Sequence, residues 1–184
     1  TSDSKNLSVT LLQDPVYLKR LDCSTTTLPE ETKTVSIYSL GERDALVWGN
    51  NKYLILAPTI FLKKGTTSEN LSTELLNHRL TLYYLSAEGD EDANTLKLYL
   101  RYEISGIGES STEETDDKES WASDYNIQYT NVSYVNLQPI ISMYKSTHSG
   151  SDPEKVTVEY EYNNSASSIP TIAKKQTKTV TYSL

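Results

Sequence analysis

Three oxygen-bearing side chains, Asp90, Asp92 and Asn94, have the spacing with which an EF-hand calcium loop begins. The rest of that motif is missing, because Thr95 stands where the loop needs glycine and Arg101 where it needs a bidentate glutamate. A plain acidic turn is the favoured interpretation, and a weak calcium site, shared across a subunit interface, is the alternative. A calcium titration that left thermal stability unchanged would exclude calcium binding.

Groups able to act as acid, base or nucleophile are few. The two histidines, His78 and His148, lie in no nucleophile elbow or zinc motif, and each is expected at a surface or turn. The single cysteine, Cys23, excludes an internal disulfide or a multi-thiolate site, and no nearby histidine offers it a base. We therefore predict no catalytic residue, no cofactor and no enzyme. A glycosidase carboxylate pair remains an alternative, because its spacing is three-dimensional.

Aromatic side chains are the remaining candidates, since the chain has 14 tyrosines and two tryptophans. Tyrosine offers a large contact area with few rotatable bonds, which suits interfaces. Tyr83, Tyr99, Trp48 and Trp121 are therefore the ligand or interface candidates. The tryptophans could stack on sugar rings, but packing in the core or at its rim is the favoured interpretation for them.

Charge and composition limit the partners. The net charge is −8, which repels phosphate backbones, so we predict no direct binding of nucleic acid. No apolar run approaches the roughly 20 residues of a membrane span. The chain begins at Thr1 and shows no signal peptide, so we expect a processed chain or part of a longer one.

The elements that position these residues are organised around residues 78–105, HRLTLYYLSAEGDEDANTLKLYLRYEIS. Large apolar residues occupy every second position from Leu96 to Ile104, and charged residues or tyrosines fill the positions between. Period-two alternation predicts a strand with one buried face. The run from His78 to Tyr84 alternates in the same way, and an acidic turn separates the two. We predict an antiparallel hairpin.

The rest of the chain is also rich in strand patterns. We predict strands at 33–39, 52–62 with a bend at Pro58, 125–137 with a bulge near Asn131, 155–162 and 177–183. Residues 140–145 are placed among the strands as a further short apolar run. One short helix is predicted near 68–77. Lys174, Lys175 and Lys178 form a basic cluster that we expect at a solvated strand edge.

This pattern predicts an all-β fold, an antiparallel β-sandwich that is jelly-roll-like. Residues 1–184 are expected to form a single domain with an acidic loop at 108–120. The alternative is a β-sandwich at 1–107 followed by a small second module at 121–184.

The segment LKLYLRYEIS at 96–105 is similar to the closing strand of jelly-roll coat proteins of small icosahedral viruses. That resemblance implies a virion structural protein, with 108–120 as linker and 121–184 as projecting module. We therefore predict a non-enzymatic viral coat or spike-type subunit, located on a virion or extracellular surface. Its partners would be copies of itself, other assembly subunits, or a host-cell glycan or receptor. The alternative is an extracellular adhesin or carbohydrate-binding module.

Overall fold

The computed structural model describes residues 18–41, 47–86, 94–107, 120–163 and 170–184, with backbone alone for Trp48 and Ser120. Strands dominate this part of the chain, which confirms the mainly β class. None of the described helices is long and apolar enough to cross a membrane. In chain order the strands and α-helices are β1 (Lys19–Arg20), β2 (Asp22–Ser24), β3 (Val47–Trp48), β4 (Tyr53–Leu56), β5 (Thr59–Lys63), α1 (Leu71–Glu74), β6 (His78–Tyr83), β7 (Thr95–Ile104), β8 (Tyr125–Thr130), β9 (Ser133–Asn136), α2 (Gln138–Thr147), β10 (Lys155–Tyr162) and β11 (Gln176–Ser183).

The largest sheet is built on the predicted hairpin. β6 and β7 pair antiparallel, from His78 opposite Ile104 to Tyr83 opposite Tyr99, which confirms the hairpin. β10 joins β7 in parallel, β11 joins β10 antiparallel, and β2 adds in parallel to β6. The sheet has the order β11-β10-β7-β6-β2 and is mixed rather than antiparallel throughout. A parallel pair needs a long crossover, and β8, β9 and α2 supply it between β7 and β10.

The remaining strands form two smaller sheets, one of order β1-β9-β4-β3 and one pairing β5 with β8. Pro58 separates β4 from β5, as predicted, because proline cannot donate to a strand ladder. Residues 125–137 are not one bulged strand, since β8 pairs with β5 while β9 pairs with β4. The Asn131 N–H donates to the Pro58 carbonyl oxygen (2.8 Å), so the predicted bulge is where the chain changes sheet.

Helices form in two places. The helix predicted near 68–77 is confirmed as α1, continued by a 3₁₀ turn at Leu75–Asn77. Residues 140–145, grouped with the strands, lie instead in α2. Pro139 starts this helix favourably, because its fixed φ suits the first turn. Ile140, Ile141 and Tyr144 then point one helical face into the core.

The segment 33–39 is not the strand that we predict. A 3₁₀ turn covers Glu31–Lys33, and the residues after it make only isolated bridges, from Ile37 to Tyr162 and from Ser39 to Thr59. The segment crosses between two sheets, so it has no continuous ladder partner. Residues 34–37 are nevertheless buried.

The middle of β7 is buried on both faces, although Lys97 near its start is exposed. Leu96, Leu98, Leu100, Tyr102 and Ile104 are each at most 2% exposed, as expected for the core-facing set. Tyr99 and Arg101 lie on the opposite face, yet they are only 6% and 8% exposed. The prediction that the charges of β7 face water is therefore wrong for Arg101, because its neighbours on β10 pair with it and cover it.

Candidate functional site

A buried ionic network lies on the outer face of the largest sheet, opposite the core. Arg101 Nη2 donates to Glu159 Oε1 (2.8 Å), and Arg101 Nε lies 3.8 Å from Glu161 Oε1. Lys175 Nζ reaches the same Glu161 oxygen at 3.3 Å. The Arg101, Glu161 and Lys175 side chains are 9%, 11% and 10% exposed. Two cations thus neutralise two carboxylates, which is how charges are tolerated in an interior.

The network forms where the parallel strands β7 and β10 separate. Beyond their paired residues, residues 35–37 lie between the two strands. The Val35 N–H donates to the Tyr102 carbonyl oxygen (2.8 Å), and the Ile37 N–H donates to that of Glu161 (3.0 Å). The gap between the strands is therefore filled by backbone of the chain itself.

Lys175 fastens this inserted segment to the sheet. Its Nζ donates to Thr34 Oγ1 (2.7 Å) as well as to Glu161 Oε1 (3.3 Å). Of the three lysines predicted at a solvated edge, Lys174 and Lys178 are exposed but Lys175 is not. Burial of Lys175 follows from the carbonyl and hydroxyl oxygens that surround its ammonium group.

Two of the aromatic candidates belong to the same face. Tyr83 and Tyr99 are directly opposite each other across β6 and β7, and they are 7% and 6% exposed. The Arg101 guanidinium carbon lies 5.5 Å from the centre of the Tyr99 ring, within the range of a cation–π contact. The structure brings these two candidates together, but their burial leaves little ring surface for a partner.

A second polar cluster joins α1 to the base of the hairpin. His78 Nε2 lies 3.0 Å from Glu74 Oε1, and His78 Nδ1 is hydrogen-bonded to the Tyr102 hydroxyl. The same Glu74 oxygen accepts the Lys63 N–H of β5 (3.0 Å). The Glu74 carboxylate can only accept, so His78 Nε2–H donates to it, and in the tautomer with the proton on Nε2 the His78 Nδ1 accepts the hydrogen bond from the Tyr102 hydroxyl.

Aromatic rings extend this cluster toward the surface. The Tyr125 ring lies edge-on to His78, with ring centres 6.0 Å apart, and Trp121 lies edge-on to Tyr125 at 5.9 Å. Trp121 is partly buried against the core, which is the packing favoured from the sequence. The side chain of Trp48 lies outside the described part of the structure.

This cluster is a chain of hydrogen bonds that is closed within the fold. The His78 side chain is 1% exposed and both of its ring nitrogens are engaged, so it offers no free nitrogen to a substrate. Burial raises the pKa of the Tyr102 hydroxyl well above its ordinary value, helped by the nearby Tyr125 and Glu74. The expectation of a surface histidine is therefore wrong for His78. Its ring can be buried because both nitrogens are hydrogen-bonded.

Glu74 should make stability depend on acid pH. Desolvation acts to raise the pKa of its carboxyl, but the hydrogen bonds from His78 and from the Lys63 N–H outweigh it, and the net pKa is lowered. A carboxyl with a lowered folded-state pKa stabilises the fold above its unfolded pKa, and that contribution is lost as pH falls through the folded value. We expect the stability difference between the wild type and Glu74→Gln to shrink from pH 7 to pH 3 in denaturant titrations.

The matched control for this experiment is Glu69→Gln, an exposed glutamate in the same segment. It should differ little from the wild type in stability at every pH. A constant difference between Glu74→Gln and the wild type across the range would contradict the proposed coupling of Glu74 ionisation to folding.

Cys23 is exposed on β2, but its thiol is expected to react slowly because its pKa is raised. Desolvation raises its pKa to about 11, against the lowering effect of Arg20. A shift of about two units from the ordinary value leaves roughly 100-fold less thiolate, which is the nucleophilic form. We expect an aromatic disulfide reagent at pH 8 to react far more slowly with the folded protein than with the same protein in denaturant. Equal rates would show that the thiol is not desolvated.

The calcium candidates remain a prediction. Asp90 and Asp92 lie outside the described residues. The Asn94 carbonyl oxygen accepts the N–H groups of Glu154 and Lys155, so it ties β7 to β10. Across the described ranges, no group of three or more His, Cys, Asp or Glu side chains could bind a metal ion.

The second histidine, His148, lies at the C-terminal end of α2 and contacts the helix itself. The His148 ring stacks on Tyr144 with ring centres 3.8 Å apart, at the end of α2. Its Nδ1 lies 2.9 Å from the Tyr144 carbonyl oxygen, so it closes the helix. This agrees with the turn position expected from the sequence.

Sequence reasoning missed the ionic network, although one signal was present. Glu159 and Glu161 lie on the polar face of a cleanly alternating strand, and Arg101 lies on the polar face of the alternating strand β7. When two such strands pair with their apolar faces on the same side, their polar side chains lie together on the other face of the sheet. The pairing of β7 with β10 spans more than 50 residues of chain, however, and periodicity alone does not reveal it.

Comparisons with known proteins give a fold but no family. No family model matches the chain, and no curated protein matches it. Among solved structures, the chain is similar to a putative lipoprotein from Bacteroides fragilis, with a TM-score of 0.69 and 20% identity, over 95% of this chain and 73% of that one. An uncharacterized protein from Parabacteroides merdae matches with a TM-score of 0.48 and 17% identity, over 90% of this chain and 66% of that one. A NigD-like immunity protein from Bacteroides caccae matches with a TM-score of 0.40 and 14% identity, over 85% and 60%.

These matches correct the functional prediction. The fold is shared over nearly the whole chain with a bacterial putative lipoprotein, not with a capsid protein. The prediction of a viral coat or spike-type subunit on a virion or extracellular surface is therefore wrong. The pattern at 96–105 that suggested it is that of a strand with one face in the core, and such a strand occurs in many β folds. The alternative of an extracellular adhesin or carbohydrate-binding module gains no support from these matches.

Proposed function

We propose that this chain is a non-enzymatic domain of a bacterial cell-envelope protein that acts through its surfaces. The similarity of fold to the putative lipoprotein from Bacteroides fragilis, over 95% of the chain, carries the proposal. A lipoprotein is held at a membrane by its lipid, so the polypeptide itself needs no spanning helix. The acidic, tyrosine-rich chain suits a surface in contact with solvent and with other proteins.

The burial of the histidine and of the charged side chains described above supports a role without catalysis. The nitrogens of His78 and the charges of Arg101, Glu161 and Lys175 are used within the fold and are almost completely buried. A catalytic acid, base or nucleophile must reach its substrate. In the described part of the chain the contacts of these groups are with other residues of the fold, which supports a stabilising role for them.

We also infer that the chain is a single domain with a sandwich-like core. β8, β9 and β10, which follow the acidic segment 108–120, pair with β5, β4 and β7, which precede it. One cluster of buried apolar residues takes members from all three sheets and from α2. A module at 121–184 would need a core of its own, and this pairing argues against it.

Cell fractionation tests the proposed location. An antibody raised against the purified chain is applied to cytoplasmic, periplasmic and membrane fractions of the bacterium that encodes it, with a marker protein for each fraction. We expect the antigen in the envelope fractions, and we expect the full-length product to incorporate a clickable palmitate analogue. Recovery with the cytoplasmic marker would contradict the proposal.

A further inference from the structure

β11 forms one edge of the largest sheet. It pairs with β10 over eight consecutive residue pairs without a shift of register. Within the described part of the chain no strand follows it in the sheet. The opposite edge is formed by β2, which has only three residues. The long regular edge of β11 is therefore the place where a further strand can add to this sheet.

The direction of the backbone groups on β11 follows from one hydrogen bond. The Leu184 N–H donates to the Glu154 carbonyl oxygen (2.9 Å), next to the pair Ser183–Lys155. In an antiparallel ladder alternate residues bond to the same neighbour, so the even-numbered residues of β11 face β10. The odd-numbered residues Thr177, Thr179, Thr181 and Ser183 turn their N–H and C=O groups outward, and all four are exposed.

This edge carries few of the features that protect edge strands. It contains no proline, it has no bulge, and Lys178 is its single charged residue. Natural edges are usually protected by such features, or by being short. An unprotected edge of this length favours strand addition, which uses main-chain hydrogen bonds for affinity.

We propose that β11 pairs antiparallel with β11 of a second copy of this chain, about a two-fold axis at Val180, giving a continuous ten-stranded sheet. This register places the outward-facing residues in hydrogen-bonded pairs, Thr179 opposite Thr181 and Thr177 opposite Ser183. Cross-strand pairs of threonine and serine are favourable. A two-fold contact of this kind uses the same surface on both copies.

The charges on the strand fit this occupant. With Val180 on the axis, Lys178 of one copy lies opposite Tyr182 of the other, where an ammonium group and an aromatic ring attract each other. No lysine faces a lysine directly. Because each copy has a net charge of −8, long-range repulsion weakens the contact at low salt, and screening by about 0.15 M salt relieves it.

One pair of eight-residue edges makes a small interface. Stable complexes bury about 1,200–2,000 Å² in total, and a single strand pair is at the low end of that range or below it. We therefore expect a reversible dimer with a dissociation constant in the micromolar range or weaker. The proposal concerns partner choice and is independent of the envelope location, so the failure of one leaves the other standing.

Charge-swapped variants test the contact. In Thr179→Lys/Thr181→Lys, each new lysine faces a lysine of the second copy, and Thr179→Glu/Thr181→Glu does the same with carboxylates. Sedimentation velocity of the wild type should show monomer and dimer in a concentration-dependent ratio. We expect each variant alone to dimerise at least about tenfold more weakly, and an equimolar mixture of the two to recover a heterodimer.

Both variants alter exposed side chains that point away from the core, and circular dichroism checks that each is folded. A wild type that stays monomeric up to about 1 mM in 0.15 M salt would overturn the proposal. So would variants that dimerise as well as the wild type, because the contact would then lie elsewhere. A mixture that fails to recover the heterodimer counts against the antiparallel register.

Discussion

Replacing Arg101 with methionine is expected to lower the free energy of unfolding by about 3 kcal/mol, because it leaves the partly buried Glu159 carboxylate without its cation and the buried Glu161 carboxylate with one cation instead of two. Arg101 is the cation that Glu159 contacts at 2.8 Å, and Glu161 keeps only Lys175 after the change. Methionine retains the apolar volume of the arginine stem, so most of the loss reflects charge rather than packing. Urea titration followed by tryptophan fluorescence gives the free energy.

Two variants separate the charge effect from a general effect of changing β7. Lys97→Met alters an exposed residue of the same strand and should change stability by no more than about 0.5 kcal/mol. Adding Glu159→Gln to Arg101→Met removes one stranded charge and should recover about 1 kcal/mol. If Arg101→Met costs no more than Lys97→Met, the network does not stabilise the fold.

The hairpin could be predicted because its information is local. The alternation in β6 and β7 and the polar turn between them lie within 28 consecutive residues, and the structure pairs them as expected. Pro58 likewise affects only the adjacent residues, and it separates β4 from β5. Both features follow from the chemistry of a few adjacent residues.

The ionic network could not be predicted in the same way, because its members come from distant parts of the chain. Arg101, Glu161 and Lys175 meet only after β10 joins β7 in parallel and residues 35–37 enter the gap. Alternation assigns Arg101 to the face opposite the core, which is correct. It does not say whether that face is covered by protein or by water.

The helix α2 was missed for a different reason. Its core contacts come from Ile140, Ile141 and Tyr144, and a run of six residues with two adjacent isoleucines fits a buried strand as well as a helix. The deciding residue is Pro139, because a proline at this place fits a break between two strands as well as the first turn of a helix, and the structure shows the helix. Tertiary packing then outweighed the strand preference of isoleucine.

Truncating Leu98 to alanine should have an effect similar in size to the loss of Arg101. Leu98 is fully buried in the middle of β7, and the strands on either side prevent the backbone from closing the space. A buried leucine replaced by alanine loses its transfer free energy and leaves a cavity, which together cost about 3 kcal/mol. The expected result is a denaturation midpoint well below that of the wild type with an unchanged dependence on denaturant.

Leu76→Ala is the matched control, since it deletes the same atoms from a side chain that is 82% exposed. The unfolded chain loses the same apolar surface in both variants, so the difference between them isolates burial in the folded state. We expect Leu76→Ala to change stability by less than about 0.5 kcal/mol. Equal losses would mean that Leu98 does not face the core, and Arg101, three residues further along β7, would then lose the outward position that the ionic network requires.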